Sequence, residues 1–220
     1  MTLPDWQQIN TVLLDMDGTL LDLHFDNYFW LTYMPQVYAH HHGVSHEDAM
    51  TELNKSFVGL RGTLNWYCLD FWSELTELPI AALKRDVQDK IAFRPHTKDF
   101  LQQLRDLDKR TVIVTNAHRD SVDLKMEHTG LDQLVDRVIS SHDYQEPKES
   151  QAFWHHLHSE EPFEPQHTVL IDDSEAVLKS AATWGIHYLL AIFHPDSQQP
   201  PRTNSEFPGI HHFDEHWPKA

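Results

Sequence analysis

Five short apolar runs, separated by stretches with helical periodicity, limit the possible fold of this 220-residue chain most strongly. Runs that are apolar on both faces are typical of buried parallel strands, and helix-start and helix-stop residues bound the stretches between them. This alternation predicts an α/β fold with a doubly wound parallel sheet. The predicted strands are 12–14, 111–114, 135–139 (the weakest), 168–171 and 187–192, and the predicted helices are 95–107, 118–129, 149–159 and 175–184.

One long connection interrupts this rhythm between Leu20 and Phe93, where no strand pattern occurs. Four amphipathic, aromatic-rich segments occupy it instead, and a connection of this length normally has structure of its own. We therefore predict a helical cap at 22–93, inserted into a core formed by 1–21 and 94–220. The tail from Pro195 onward, rich in Pro, Ser, His and Gln, is expected to lie irregularly on the surface. The predicted cap helices are 26–42, 45–58, 63–75 and 79–92.

Composition excludes some classes of partner. A net charge of −17 argues against extended contacts with a nucleic-acid backbone, but a few cations in one cleft can still bind a small phosphorylated ligand. The first ten residues show no secretory pattern, and no apolar run reaches the roughly 20 residues that span a bilayer. With a single cysteine, Cys68, these features predict a cytoplasmic protein without a membrane partner. No sequence feature assigns an oligomeric state.

The cysteine and the histidines favour structural roles. Cys68 lies in an aromatic stretch and is expected to be a buried structural thiol rather than a nucleophile. Many of the eighteen histidines form runs such as 40–42 and 211–212, which lack ligand spacing. We therefore expect solvated histidines rather than a zinc site.

The first apolar run ends in Asp15-Met16-Asp17-Gly18-Thr19, and this pentapeptide is the strongest chemical signal in the chain. Two carboxylates leave the end of a strand together, and Gly18 allows the chain to turn sharply. One carboxylate can attack phosphorus while the other transfers protons. A plain Asp-Gly turn is the alternative, and residues further along the chain argue against it.

Complementary groups follow three later strands or loops. Thr115-Asn116 offers a hydroxyl, an amide and free backbone N–H groups at the start of a helix, which suits a phosphate. Lys148 supplies a positive charge, and Asp172-Asp173 ends the fourth run with two carboxylates. Because open α/β sheets bind ligands at the carboxyl ends of their strands, we expect these groups to meet there. Several carboxylates in one place require a cation, and hard oxygen ligands suit Mg²⁺.

Together, these four features resemble, in order, the motifs of the haloacid dehalogenase superfamily. The resemblance covers roughly 9–22 and 94–195, and the insertion resembles the helical C1 cap of that superfamily. It implies that Asp15 is a nucleophile that forms an aspartyl-phosphate and that Asp17 is a general acid and base. It also implies that Thr115, Asn116 and Lys148 bind phosphate, and that Lys148 is a catalytic residue as well. Mg²⁺ would be bound by Asp15, the Asp17 backbone carbonyl, Asp172 and Asp173.

A finer resemblance lies in segments 14–22, 25–30, 63–70 and 127–131, which are similar to purine 5′-nucleotidases of this superfamily. It implies a small phosphomonoester substrate such as GMP or IMP. The alternatives are a sugar-phosphate or phosphoglycolate phosphatase, a 2-haloacid dehalogenase and a non-catalytic phosphate-binding module. The dehalogenase reaction has no alkoxide to protonate and needs no Mg²⁺, so Asp17 argues against it. Candidate specificity residues in the cap are Asn27, Tyr28, Asn65 and Trp66.

Overall fold

A six-stranded parallel sheet forms the centre of the protein, with the strand order β3-β2-β1-β4-β5-β6. The computed structural model describes residues 3–218. All five predicted strands are confirmed, and a sixth, short strand lies at one edge beside β5. The strands are β1 Thr11–Leu14, β2 Arg110–Thr115, β3 Arg137–Ser140, β4 Thr168–Asp172, β5 Tyr188–Ile192 and β6 Gly209–Ile210.

Helices cover both faces of this sheet, because successive strand residues point to opposite sides and both sides are apolar. Leu14 packs in one hydrophobic cluster and Leu13 in the other. No helix within residues 3–218 is long and apolar enough to cross a membrane. The helices of the core are α7 Thr97–Asp106, α8 Arg119–Thr129, α9 Gln151–Glu160 and α10 Glu175–Trp184, with 3₁₀ turns at Leu131–Leu134, Ser141–Asp143, Pro165–His167 and Phe213–His216.

The inserted segment, residues 22–93, is helical as expected. An antiparallel bridge between Leu21 and Phe93 brings its two ends together. The predicted helix at 63–75 is in fact two helices, because Cys68 has an extended backbone (φ −82°, ψ 112°). That this segment is a separate cap domain stays a prediction. Its elements are α1 His24–Tyr28, a π turn Phe29–Tyr33, α2 Met34–His42, α3 His46–Phe57, α4 Leu64–Tyr67, α5 Leu69–Thr76, α6 Ile80–Asp86 and a 3₁₀ turn Gln88–Lys90.

The tail is more ordered than its composition suggests, and the prediction of an irregular surface tail was wrong for its second half. Phe207, Ile210 and Phe213 are buried, and Phe213 stacks on Phe100 with 4.2 Å between ring centroids. The buried guanidinium of Arg94 donates hydrogen bonds to carbonyl oxygens of the tail and of the turn after β1. A few apolar side chains therefore attach the tail to the core, because each of them is buried against it.

Candidate active site

Asp15 lies where three neighbouring strands end together. The sheet register aligns Leu14 with Ile113 of β2 and Ile171 of β4, and the Asp15 backbone N–H donates to the Ile171 carbonyl at 2.9 Å. This register places the carboxyl end of β1 between the ends of β2 and β4. The side chain of Asp15 is therefore buried among groups that come from distant parts of the sequence.

Lys148 connects these strand ends through its ammonium group. Its Nζ lies 2.6 Å from Asp15 Oδ1, 2.7 Å from Asp172 Oδ2 and 2.9 Å from the Val114 carbonyl oxygen. The Lys148 side chain is only 2% exposed, so two carboxylates and one cation share a site that excludes water. Charge-assisted hydrogen bonds of this kind fix the orientation of both carboxylates.

Three carboxylates around this lysine leave an excess of negative charge. Burial raises the pKa of Asp15 to about 6, although Lys148 opposes the shift. Burial and repulsion by Asp15 raise the pKa of Asp173 to about 8. Burial disfavours a charged Lys148, but attraction to Asp15 and Asp172 outweighs it and raises the lysine pKa. One carboxylate oxygen each from Asp15, Asp172 and Asp173 lies within 4.8 Å of the others, a donor set that suits a hard divalent cation.

Asp173 is positioned from two sides. Arg202 of the tail donates hydrogen bonds to the Asp173 carbonyl and, at 3.3 Å, to its carboxylate. Gly18 (φ +83°) approaches so closely that a Cβ there would lie 2.9 Å from Asp173 Cγ. Glycine is therefore required at this turn both for its backbone conformation and for the space beside a carboxylate.

The predicted phosphate seat is held by a hydrogen-bond chain. Asn116 Oδ1 accepts from the Lys148 backbone N–H at 2.9 Å, and Asn116 Nδ2 donates to Glu149 at 2.9 Å. Tyr67, from the inserted segment, donates to the other oxygen of Glu149 at 3.0 Å. The Thr115 hydroxyl accepts from the Ala117 N–H at 3.0 Å. The Asn116 side chain thus braces the loop through both atoms of its amide group.

Asp17 takes part in a second set of ion pairs, which does not include Lys148. Its Oδ1 lies 2.6 Å from Lys125 Nζ, which also contacts Asp26 Oδ2 at 2.7 Å. Asp26 Oδ1 is in turn 2.6 Å from Lys84 Nζ. Both lysine side chains are at most 2% exposed. Sequence reasoning missed Lys125, Asp26 and Lys84, because their partners are distant in sequence and no local pattern identifies them.

A cleft of about 1340 Å³ opens over both clusters, and two of the four candidate specificity residues line it. Asn27 and Trp66 line the cleft, and Asn27 donates to Asp196 at 2.6 Å. Tyr28 and Asn65 are not among the lining residues that the structure describes. The Lys90 Nζ lies 4.3 Å from the centroid of the Tyr28 ring, and Asn65 is exposed. Asn65 and Trp66 are consecutive on a short helix and so face different directions. Further lining residues include Asp26, Trp30, Asn54, Phe57, Arg61, Tyr67, His118 and Arg202.

Comparisons with known proteins agree with this geometry. The family model described as haloacid dehalogenase-like hydrolase matches residues 9–185, which include the predicted motifs. The chain belongs to the haloacid dehalogenase-like hydrolases. It is 43% identical over 192 residues to the GMP/IMP nucleotidase YrfG of Escherichia coli (strain K12), covering 87% of this chain and 86% of the relative. The nucleotidase of the same name from Shigella flexneri matches to the same extent.

Solved structures support the fold of this haloacid dehalogenase-like hydrolase. A HAD phosphatase from Thermococcus onnurineus superposes with a TM-score of 0.76 at 24% identity, covering 92% of this chain and 93% of that chain. The HAD-hydrolase YfnB from Bacillus subtilis superposes with a TM-score of 0.65 at 18% identity, covering 94% and 96%. At these identities the likeness concerns the fold alone.

The raised pKa of Asp173 leads to a prediction about stability. In the folded protein this carboxyl group ionises near pH 8, against an ordinary value of 3.8, so its ionisation destabilises the fold increasingly as pH rises between these values. In EDTA, Asp173→Asn should therefore melt at a higher temperature than wild type at roughly pH 9, with the difference shrinking towards roughly pH 5. Differential scanning calorimetry at both pH values tests this. A lower melting temperature for Asp173→Asn at the higher pH would contradict it.

Proposed function

We propose that this protein is a Mg²⁺-dependent phosphatase that hydrolyses purine nucleoside 5′-monophosphates through an aspartyl-phosphate on Asp15. The observation that carries the chemistry is the cluster at the strand ends, in which Asp15, Lys148 and Asp172 are buried and Asp173 is partly buried. The 43% identity to a GMP/IMP nucleotidase supports the choice of substrate. We also propose that residues 22–93 act as a cap that encloses the nucleoside.

Each residue's part follows from its position. Asp15 attacks phosphorus in line, because it directly follows β1, lines the cleft and is oriented by Lys148. Lys148, Thr115 and the Asn116 backbone N–H bind the phosphoryl oxygens, and Asp17 protonates the leaving 5′-oxygen and later deprotonates water. Mg²⁺ held by Asp15, the Asp17 carbonyl, Asp172 and Asp173 would neutralise charge on the transferring phosphoryl group.

Specificity would come from the cleft wall. Trp66 and Trp30 line it with aromatic surface that can stack on a purine, and Arg61 lies 5.8 Å from the Trp66 ring centroid. Asn27 and Asn54 add amide groups that can read the polar edge of a base. A sugar phosphate or phosphoglycolate would leave this aromatic surface without a partner.

A phosphate-release screen tests the proposal. Purified protein with Mg²⁺ is given GMP, IMP, AMP, several sugar phosphates and phosphoglycolate, each with and without EDTA. We expect the highest kcat/KM for GMP and IMP and loss of activity in EDTA. Preference for phosphoglycolate or a sugar phosphate would overturn the substrate assignment, and turnover of a 2-haloacid without Mg²⁺ would overturn the reaction.

A further prediction concerns Lys125, which contacts Asp17 and Asp26. If Asp17 protonates the leaving group, loss of Lys125 misplaces the acid, and general acid catalysis is worth roughly 10²–10⁴-fold. Lys125→Met should therefore lower kcat for GMP by about 10²-fold or more but affect p-nitrophenyl phosphate much less, because nitrophenolate leaves without protonation.

Both substrates are assayed on one preparation, so partial unfolding cannot change their ratio. The exposed Lys98 provides the matched control, and Lys98→Met should leave both rates unchanged. Equal losses on the two substrates in Lys125→Met would contradict a role for Lys125 in positioning Asp17.

A further inference from the structure

Three metal-binding side chains meet beside the phosphate seat. Cys68 lies at the break between α4 and α5, His118 precedes α8, and His142 lies in the 3₁₀ turn after β3. One ligand atom from each residue lies within 4.8 Å of the other two. Cys68 is half-buried, not fully buried as its aromatic surroundings predict. One sulfur and two imidazole nitrogens are ligands that Zn²⁺ prefers in proteins.

His142 has a nitrogen that is ready for a ligand. Its Nε2 is buried and has no hydrogen-bond partner among the described residues. An imidazole nitrogen that is buried and has no hydrogen-bond partner has a lone pair available for a metal ion.

His118 differs from His142 because both of its nitrogens have partners. Its Nδ1 accepts a hydrogen bond from the Asp120 backbone N–H at 3.4 Å, and its Nε2 lies 3.5 Å from Asp70 Oδ2. A metal ion would therefore replace one of these two contacts of the ring. The His118 ring centroid is 4.9 Å from that of His142. The Asp70 side chain is 82% exposed and belongs to the same segment as Cys68, so it can turn towards the cluster as a fourth, oxygen ligand.

We propose that Cys68, His118 and His142 form a binding site for a thiophilic divalent metal ion, with Zn²⁺ as the best match and Asp70 or water as the fourth ligand. On binding, a sulfur–zinc bond replaces the S–H bond of Cys68 and the thiol proton passes to solvent. This proposal departs from the expectation that the histidines are solvated and hold no zinc. Sequence spacing could not identify it, because the fold brings together ligands from three separate segments.

The site connects two parts of the molecule. Cys68 belongs to the inserted segment, whereas His118 and His142 lie on loops of the core. His118 is two residues from Asn116, whose loop the proposed phosphate seat uses. A bound metal ion would therefore fasten the inserted segment to the core beside the active site. If substrate entry and product release require that segment to move, the metal ion inhibits turnover.

Cobalt spectroscopy tests the site without reference to catalysis. The full chain is saturated with Mg²⁺, so that the aspartate cluster is occupied, and is then titrated with Co²⁺. We expect a thiolate-to-cobalt charge-transfer band that saturates at one equivalent and is displaced by Zn²⁺. The band should be absent in Cys68→Ser and weakened in His142→Gln. X-ray absorption of the wild-type zinc form should show one sulfur neighbour, a readout that needs no variant to fold.

A matched control is His41→Gln, which alters the exposed group of His41, His42 and Glu77. This variant should keep the band unchanged. Absence of a thiolate band or of a sulfur neighbour in the wild-type protein would overturn the proposal, and so would a band that persists in Cys68→Ser.

A phosphatase assay tests separately whether the metal ion restrains the inserted segment. This test rests on the proposed function. At saturating Mg²⁺, Zn²⁺ should inhibit phosphate release from GMP, and the half-inhibitory concentration should rise at least about tenfold in Cys68→Ser. Equal inhibition of both proteins would show that Zn²⁺ acts at the aspartate cluster and would overturn the inhibitory role. Absence of phosphatase activity would overturn the proposed function and leave the spectroscopic result to decide the site.

Discussion

Asp15→Asn should abolish phosphate release, with kcat for GMP falling by at least about 10³-fold, because an amide oxygen is a poor nucleophile and cannot form an acyl phosphate. The fold should persist, since the substitution keeps the side-chain shape and Lys148 still contacts Asp172 at 2.7 Å. Steady-state phosphate release and circular dichroism check the two halves of this prediction.

Its control is Asp132→Asn, which removes an exposed carboxylate and should leave turnover unchanged. Mass spectrometry of acid-quenched wild-type enzyme during turnover should detect one added phosphoryl group on the peptide that contains Asp15. Near-wild-type activity in Asp15→Asn, or a phosphoryl group on a different residue, would refute the covalent scheme.

The second large effect is expected for Lys148→Met, which leaves Asp15 and Asp172 buried without their shared cation. Breaking a buried ion pair by removing one partner typically costs about 3–5 kcal/mol in the free energy of unfolding. Turnover should also fall by roughly 10³-fold, because a preorganised charge that faces the transferring phosphoryl group is lost. Urea denaturation in EDTA and phosphate release with Mg²⁺ measure the two effects.

Two controls separate these effects. Lys179→Met breaks an exposed ion pair with Glu206 and should leave the free energy of unfolding nearly unchanged, because solvent screens such pairs. Adding Asp172→Asn to Lys148→Met removes one of the unpaired buried charges, so the double variant should regain stability without regaining activity. A double variant no more stable than Lys148→Met would mean that the lysine does not stabilise the fold through these carboxylates.

Much of the candidate site was predictable because strand periodicity and motif position are local properties. The run before Asp15 and the run before Asp172 are apolar on both faces, so both had to be central strands with their carboxyl ends at one edge. Thr115 could be placed in the same way, at the end of β2. The structure brings these residues to one edge, with Lys148 between the carboxylates.

Predictions failed where the decisive contact joins distant residues without a repeating pattern. Tyr28 and Asn65 were chosen for substrate contact by residue type, and neither is among the described residues that line the cleft, so their contact with substrate stays a prediction. The tail from Pro195 has a loop-like composition, yet a few apolar residues and Arg202 attach it to the core and the site. Composition reports an average, whereas docking depends on single side chains that fit particular surfaces.

By itself, the sequence determined the parallel sheet, the order of its strands along the chain and the chemical groups at their ends, because alternation and capping act over a few residues. Only the tertiary structure decided which charges meet. Asp17 pairs with Lys125 across 108 residues, and Lys125 with Asp26 across 99. Cys68, His118 and His142 likewise meet only in the folded chain. Such pairings depend on how the helices pack over the sheet. A buried charge or lone pair requires a partner, and the local sequence does not specify which residue that partner is.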